Sequence, residues 1–213
     1  MRITGATLNS ENIYERRDCP LLIVISGPSG VGKDAIARGL MRSSNNFSFV
    51  VTATSRPPRP GEIHERDYIF VSQDEFEQMI AQDELLEHAL VYGQYKGVPK
   101  TQIRDAIDSN RDVIMRVDVQ GAATIRRLVP NAIFIFLAAE SDDVLVHRLK
   151  RRKSDSAEAL ELRVASARLE MERINEFDYY VVNAEGQIDE TIQVILSIII
   201  AEHQRVEQSP IVL

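Results

Sequence analysis

One cysteine, Cys19, leaves no partner for an internal disulfide and too few thiolates for a multi-cysteine metal site, which suits a reducing compartment. His64, His88, His147 and His203 lie far apart with no ligand-like spacing, so no zinc site is expected. Long apolar runs are missing too. Val194 to Ala201, the longest near the end, is much too short to span a bilayer, and the N-terminus has no apolar signal core, so a cytoplasmic protein without a membrane partner is expected. An excess of positive charge is also lacking. A net charge of -7 argues against a general nucleic-acid binder, although arginines cluster locally. No internal repeats are visible. What is there is ordinary for a globular enzyme: 44% hydrophobic and 27% charged residues, too apolar for a disordered chain, over a length of 213 that suits one core with modest insertions.

The organising stretch is Leu22-Ile23-Val24-Ile25-Ser26-Gly27-Pro28-Ser29-Gly30-Val31-Gly32-Lys33-Asp34. An apolar, β-branched run of the buried parallel type stops at a glycine-rich turn, and a helix-forming segment from Ala35 to Met41 follows. Gly27 and Gly32 stand at P-loop spacing, where the backbone bends so that successive N–H groups and a helix N-terminus converge on phosphate oxygens. Lys33 would reach the β and γ phosphates. A plain glycine turn fits the order of strand, glycines, lysine and helix less well. The last motif position, usually a Mg²⁺-ligating hydroxyl, is Asp34.

Ser48 to Ala53 reads as a second strand, leading into a loop in which Pro57, Pro58 and Pro60 stiffen the chain around Arg56 and Arg59. That loop alone is compatible with solvated surface charge or with an anion site; a P-loop in the same chain favours the anion site. Arg66 to Val71 alternates like a strand. Ser72-Gln73-Asp74-Glu75 forms a capping box for a short helix with Phe76, Met79 and Ile80 inward. Leu85 to Tyr92 reads as a strand that places Glu87 in an apolar setting, where a buried carboxylate needs a partner. Gly93 to Pro99 reads as a turn, with Pro99 at the first position of a helix. The next core strand, Asp112 to Asp118, ends in a carboxylate, expected to open onto the same crevice as the P-loop. Ala132 to Leu137 and Tyr179 to Asn183 are further core strands. Between them Ser141 caps a helix to Leu149, and the run His147 to Lys153 is either a solvated helix end or a mobile arginine lid. Ser154-Asp155-Ser156 offers caps for a helix with Leu160, Val164, Ala167, Met171 and Ile174 in one stripe, and Ile188, Ile192, Ile195 and Ile199 mark a closing helix. The order of elements predicts an α/β fold with a parallel sheet covered on both faces.

These residues resemble guanylate kinases from about Leu21 to the C-terminal helix. The resemblance rests on Gly27-Pro28-Ser29-Gly30-Val31-Gly32-Lys33, Ser55-Arg56-Pro57-Pro58-Arg59-Pro60-Gly61-Glu62, Asp67-Tyr68-Ile69-Phe70, Asp118-Val119-Gln120-Gly121 and the basic lid. The proline-arginine element is far more specific than a P-loop. The resemblance implies a P-loop nucleoside monophosphate kinase fold that reversibly transfers the ATP γ-phosphoryl group to GMP or dGMP with Mg²⁺. Residues 1–20, polar and mixed in charge, read as a loosely attached leader with a short helix around Glu11 to Arg16; the resemblance divides the rest into a core (21–51, 99–146 and 175–213), a strand-rich GMP-binding insertion (52–98) and a helical lid (147–174). By the same resemblance Arg56, Arg59 and Tyr68 hold the GMP phosphate, and Thr52, Glu87 and Asp118 read the guanine. Gly27, Pro28, Ser29, Gly30, Val31, Gly32, Lys33, Asp34 and Asn183 lie on ATP, while Arg148, Arg152 and Arg163 neutralise the transferring group with Lys33. Guanine presents N1–H and N2–H₂ side by side, a pair a carboxylate accepts and adenine does not offer, so Glu87 suits guanine on chemical grounds as well.

Three positions depart from the commonest family pattern. Asp34 replaces the metal-ligating hydroxyl and is expected to hold Mg²⁺ directly or through water. Lys96 stands where a second phosphate-binding tyrosine is usual and is expected to contact the phosphate as a point charge. Val98 replaces a small hydroxyl residue. Gly32-Lys33-Asp34-Ala35 with Tyr95-Lys96-Gly97 is similar to an organellar-type branch of the family. Two rival readings are a ribose 1,5-bisphosphate phosphokinase, a relative that also carries Gly-Lys-Asp, and a guanylate-kinase-like module that binds partner peptides without catalysis. The Arg56 to Glu62 element and Glu87 argue against the first, and the intact glycines with Lys33 against the second.

Overall fold

The computed structural model describes residues 19–43, 46–91, 93–150, 157–207 and 209–212. The expected leader helix around Glu11 to Arg16, Arg152 and the caps Ser154-Asp155-Ser156 lie outside the described residues. In chain order the elements are β1 (Leu22–Ser26), α1 (Lys33–Ser43), β2 (Phe47–Phe49), β3 (Ala53–Thr54), β4 (Ile69–Phe70), α2 (Gln73–Ala81), β5 (Leu85–Val91), β6 (Gln94–Pro99) and α3 (Lys100–Asp108). They continue with β7 (Asp112–Arg116), α4 (Val119–Leu128), β8 (Ile133–Ala138), α5 (Asp142–Lys150), α6 (Ala157–Met171), a 3₁₀ turn (Glu172–Glu176), β9 (Tyr179–Val182) and α7 (Ile188–His203).

Parallel pairing builds a sheet of order β2-β7-β1-β8-β9, as expected for a core covered on both faces. Strand β1 shows why the run is continuously apolar. Ile23 and Ile25 pack with Ile36 and Leu40 of α1 and Ile192, Ile195 and Ile199 of α7. Leu22 and Val24 pack on the other face with Ile103 and Ala106 of α3 and Ala122 and Ile125 of α4. Alternation sends successive side chains to opposite faces, so both faces must be apolar. The parallel arrangement also places the carboxyl ends of β1 and β7 side by side, with Ile25 in register with Arg116.

A second sheet of order β4-β3-β6-β5 stands apart, with a small core of Ala53, Phe76 and Leu85. Helix α2 starts with the expected capping box: Glu75 N–H donates to Ser72 Oγ at 3.2 Å, and Ser72 N–H donates to Glu75 Oε2 at 2.7 Å. Several expectations are corrected here. Residues 94–99 form strand β6, antiparallel to β3 and β5, and not an extended turn; Gly93, at φ 73°, precedes it. Pro99 ends that strand and caps α3 from outside, at φ −66° and ψ 128°, so it is not the first helical residue. The expected strand from Ser48 to Ala53 divides into β2 and β3 in different sheets. Between them Val50 N–H donates to the Ile114 carbonyl at 3.0 Å and Val51 N–H to Gln102 Oε1 at 2.8 Å, so side-chain and core partners replace a continuous ladder. The strand from Arg66 to Val71 shrinks to Ile69–Phe70.

Strand β5 carries a bulge between Leu85 and Glu87. Three successive side chains are thereby buried. Leu85 joins Phe76, Leu86 joins Val98 and Ile103 in the main core, and Glu87 turns toward α4. A regular strand would alternate; the extra residue re-aims the chain, a use of bulges common beside functional sites.

Candidate functional site

At the end of β1 the chain passes through Gly27, Gly30 and Gly32, all at positive φ. Helix α1 follows, with the Ala35 and Ile36 N–H groups donating to the Gly32 carbonyl at 3.0 and 3.1 Å. The loop and the helix N-terminus thus present backbone N–H groups to one concavity, an anion nest. Gly32 admits no side chain: at φ 93° a Cβ would lie 2.5 Å from Asn183 Nδ2. Asn183 is buried and braces the loop from behind, donating from Nδ2 to the Val31 carbonyl at 2.7 Å and accepting from Thr191 Oγ1 at 3.3 Å. Gly32→Ala is therefore expected to lower the melting temperature by several degrees and to weaken ATP binding more than tenfold, measured by thermal unfolding and calorimetry, as strain of about 1–3 kcal/mol is added at the nest.

Lys33 folds back over the loop, its Nζ donating to the carbonyls of Gly27 and, at 2.9 Å, Pro28. Burial pushes its ammonium down to about 8, and Glu170, Asp34 and Asp118 oppose that shift. Glu170, on α6, accepts the Ser29 N–H at 3.1 Å, so a carboxylate stands on an amide of the anion nest. Burial raises the Glu170 pKa and the Lys33 ammonium pulls it back. The Asp34 carboxylate, in the first turn of α1 and about half exposed, is paired through Oδ1 with Arg116 Nη1. That contact engages one of the two oxygens of the carboxylate expected to hold Mg²⁺.

Asp118 caps α4, with Oδ1 accepting from Gln120 N–H at 3.1 Å and Gly121 N–H at 2.8 Å. Its charge acts on both Lys33 and Glu87, which ties the phosphate nest to the second sheet. Glu87 is 8% exposed and accepts no protein hydrogen bond among the described residues. Its carboxyl packs on Gly121, where a Cβ would lie 3.4 Å away, so a glycine leaves the room it occupies. Burial, then the Asp118 charge, pushes its carboxyl up to about 7 against the pull of Lys96. A buried carboxylate without donors is costly unless a ligand supplies them.

Arg56 is 6% exposed and held by Glu62 through a fork, with Nη1 to Oε2 and Nη2 to Oε1 both 2.6 Å, and its carbon Cζ lies 4.7 Å from the Tyr68 ring centre. The Glu62 bonds raise the Arg56 pKa, and the Arg56 bonds hold the Glu62 carboxyl below its ordinary value. The proline-stiffened loop therefore fixes one arginine by a carboxylate. Arg59 is exposed, with its N–H on Glu62 Oε2 at 2.7 Å. Thr52 is buried and its carbonyl accepts Ile69 N–H at 3.0 Å. Lys96 lies in β6, opposite Ala89 and Thr54. Arg148, on α5, donates to the Asn183 carbonyl at 3.0 Å, while Arg163 is half-buried on α6. Lys33, Asp34, Asp118, Glu87 and Lys96 thus form one electrostatic neighbourhood, Arg56 and Tyr68 a second, and Arg148 with Asn183 a third. Sequence reasoning missed Arg116, Glu170 and the clamp role of Glu62. Glu62 could have been found from its spacing to Arg56; Glu170 stands in an ordinary amphipathic helix and gives no signal.

A family model described as guanylate kinase matches residues 20–202. Among curated proteins, "Guanylate kinase 2, chloroplastic/mitochondrial" of Oryza sativa subsp. japonica is 51% identical over 205 residues, 96% of this chain and 72% of that protein. A guanylate kinase of Lactococcus lactis subsp. lactis is 40% identical over 90% of this chain and 93% of its own. Among solved structures, guanylate kinase from Anaplasma phagocytophilum superposes with a TM-score of 0.72 at 28% identity, covering 89% of each chain. The same core sheet, the phosphate nest at its carboxyl edge and the arginine loop fall inside the matched span, and this chain belongs to the guanylate kinase family.

Proposed function

We propose that this site transfers the ATP γ-phosphoryl group reversibly to GMP or dGMP, with Glu87 as the reader of guanine. The observation that carries the reading is a carboxylate, nine-tenths buried and without a hydrogen-bond donor among the described residues, that feels the same Asp118 charge as the P-loop lysine Lys33. Guanine N1–H and N2–H₂ supply the two missing donors. Thr52 and Asp118 border the base, while Arg56, Arg59, Tyr68 and Lys96 hold its phosphate. Gly27 to Asp34 receive the triphosphate, Lys33 exchanging the Gly27 and Pro28 carbonyls for phosphate oxygens. Asn183 supports the adenine side through the loop it braces. Arg148 and Arg163, with Arg152, neutralise charge on the transferring group as segment 147–174 closes over the core. Segment 52–98 acts as the acceptor-binding insertion between core segments 21–51, 99–146 and 175–213, with residues 1–20 as a leader.

The acceptor phosphate oxygen is already ionised at neutral pH, so no general base is needed, and these residues act by positioning and charge. An oxygen-ligand site suits Mg²⁺: Asp34 Oδ2 has no protein partner among the described residues and stands at the first turn of the phosphate-nest helix. Asp34 would hold Mg²⁺ there, and the ion would supply positive charge to offset that of the triphosphate.

Because only ionised Glu87 accepts both guanine donors, kcat/KM for GMP at saturating ATP, whose phosphates keep Lys33 protonated, is expected to rise with pH and level off above about 7. In kcat the limb moves to lower pH, since bound guanine stabilises the ionised form. A pH profile of both constants checks this.

No helix among the described residues is long and apolar enough to cross a membrane. Cytoplasmic residence is the reading from composition, whereas the rice relative's name assigns that protein to chloroplast and mitochondrion; imaging a tagged chain separates the two. The activity itself is tested by coupled ADP release with GMP, AMP, UMP and ribose 1,5-bisphosphate. GMP is expected to be preferred by at least about 10³-fold in kcat/KM over AMP; a preference for ribose 1,5-bisphosphate would contradict the proposal.

A further inference from the structure

Arg116 closes β7 beside the P-loop strand, with Val117 N–H donating to the Ile25 carbonyl at 3.2 Å. Ligands of open parallel sheets lie beyond these strand ends. Its guanidinium is turned toward both halves of the site. On one side Nη1 meets Asp34 Oδ1, and its positive charge bears on Lys33. On the other, Cζ lies 5.5 Å from the Tyr68 ring centre, the same ring that Arg56 approaches to 4.7 Å. Among the described residues Asp34 is the only hydrogen-bond acceptor Arg116 has, so Nε and Nη2 are without a protein partner. The side chain is 22% exposed.

We propose that Arg116 is a phosphate-binding residue placed where the acceptor's phosphate meets the donor's, and that Asp34 holds its guanidinium in that place. This rests on the phosphotransfer reading above. A planar guanidinium can give one edge to a carboxylate and another to phosphate oxygens, which a lysine cannot do. The pair also answers a problem of charge. A bare Asp34 carboxylate at the first turn of α1 would repel a triphosphate, and Arg116 cancels that repulsion while leaving Oδ2 for a cation. A merely structural ion pair of this exposure adds little to stability and nothing to ligand affinity, so the two roles predict different results.

The probe is adenosine and guanosine joined by a five-phosphate chain, titrated calorimetrically in a chelating buffer, with GMP alone as reference. Arg116→Met is expected to weaken the joined ligand by about 10²-fold while changing GMP affinity less than about threefold, and to lower kcat by about 10²-fold with each KM within about threefold. Arg116→Lys falls between, and Asp34→Asn loses about fivefold for the joined ligand, because the guanidinium remains without its anchor. Wild-type affinity for the joined ligand in Arg116→Met overturns the proposal. So does a loss for GMP as large as for the joined ligand. Should Arg116→Met fail to fold, wild-type affinity in both Arg116→Lys and Asp34→Asn overturns it equally. Failure of the wild-type protein to bind GMP would instead overturn the phosphotransfer reading itself.

Discussion

Lys33→Ala is expected to reduce kcat/KM for ATP by at least about 10³-fold, equivalent to about 4 kcal/mol of transition-state stabilisation. The ammonium lies at the centre of the nest, on the Gly27 and Pro28 carbonyls, among Asp34, Asp118 and Glu170. Removing it leaves three carboxylates around a concavity meant for a tetra-anion, with Arg116 the cation whose charge is felt there. Phosphoryl transfer spreads charge over the equatorial oxygens, and the protein's contribution is to receive that charge without reorganising. Burial already disfavours the charged lysine, so the truncated protein should melt no lower than the wild type. Steady-state kinetics with thermal unfolding checks both halves. Near wild-type turnover would mean that the loop does not hold the transferred group.

Glu87→Gln is expected to cost about 10³- to 10⁴-fold in kcat/KM for GMP and to erase most of the preference over AMP. An amide offers one acceptor and adds a donor that opposes the guanine N–H groups. The same substitution should stabilise the unliganded protein. The native carboxyl titrates at about 7, above its ordinary value of 4.5. Between those values the native state keeps a proton that the unfolded chain releases, so wild-type stability falls as pH rises across the window and stays lower above it. A neutral glutamine has no such dependence. At pH 8 the variant is expected to gain on the order of 3 kcal/mol, and at pH 4 almost nothing. Denaturant unfolding at the two pH values measures the difference; equal stability at pH 8 would show that the carboxylate is not held at a cost.

The candidate site was legible where chemistry leaves a local trace. The P-loop announces itself through glycine spacing after an apolar strand, and Glu87 through a charge within an apolar run. The two-layer burial of β1 follows from its unbroken apolar run. The illegible parts depend on geometry that sequence does not carry. Residues 93–99 look like a turn because Gly93, Gly97 and Pro99 are turn formers, yet Gly97 serves close packing on Leu85 and Phe76 and Pro99 a strand end. The bulge at Leu85 to Glu87 arises from pairing with β6. Arg116 reads as the penultimate polar residue of a strand, since its partner Asp34 lies 82 positions away.

The most direct measurement is calorimetric titration of the folded protein with GMP and with AMP at pH 8. The account predicts saturable GMP binding at one site per chain, at least about 10²-fold tighter than AMP, with the difference lost in Glu87→Gln. Equal affinities for the two nucleotides in the wild-type protein would contradict it.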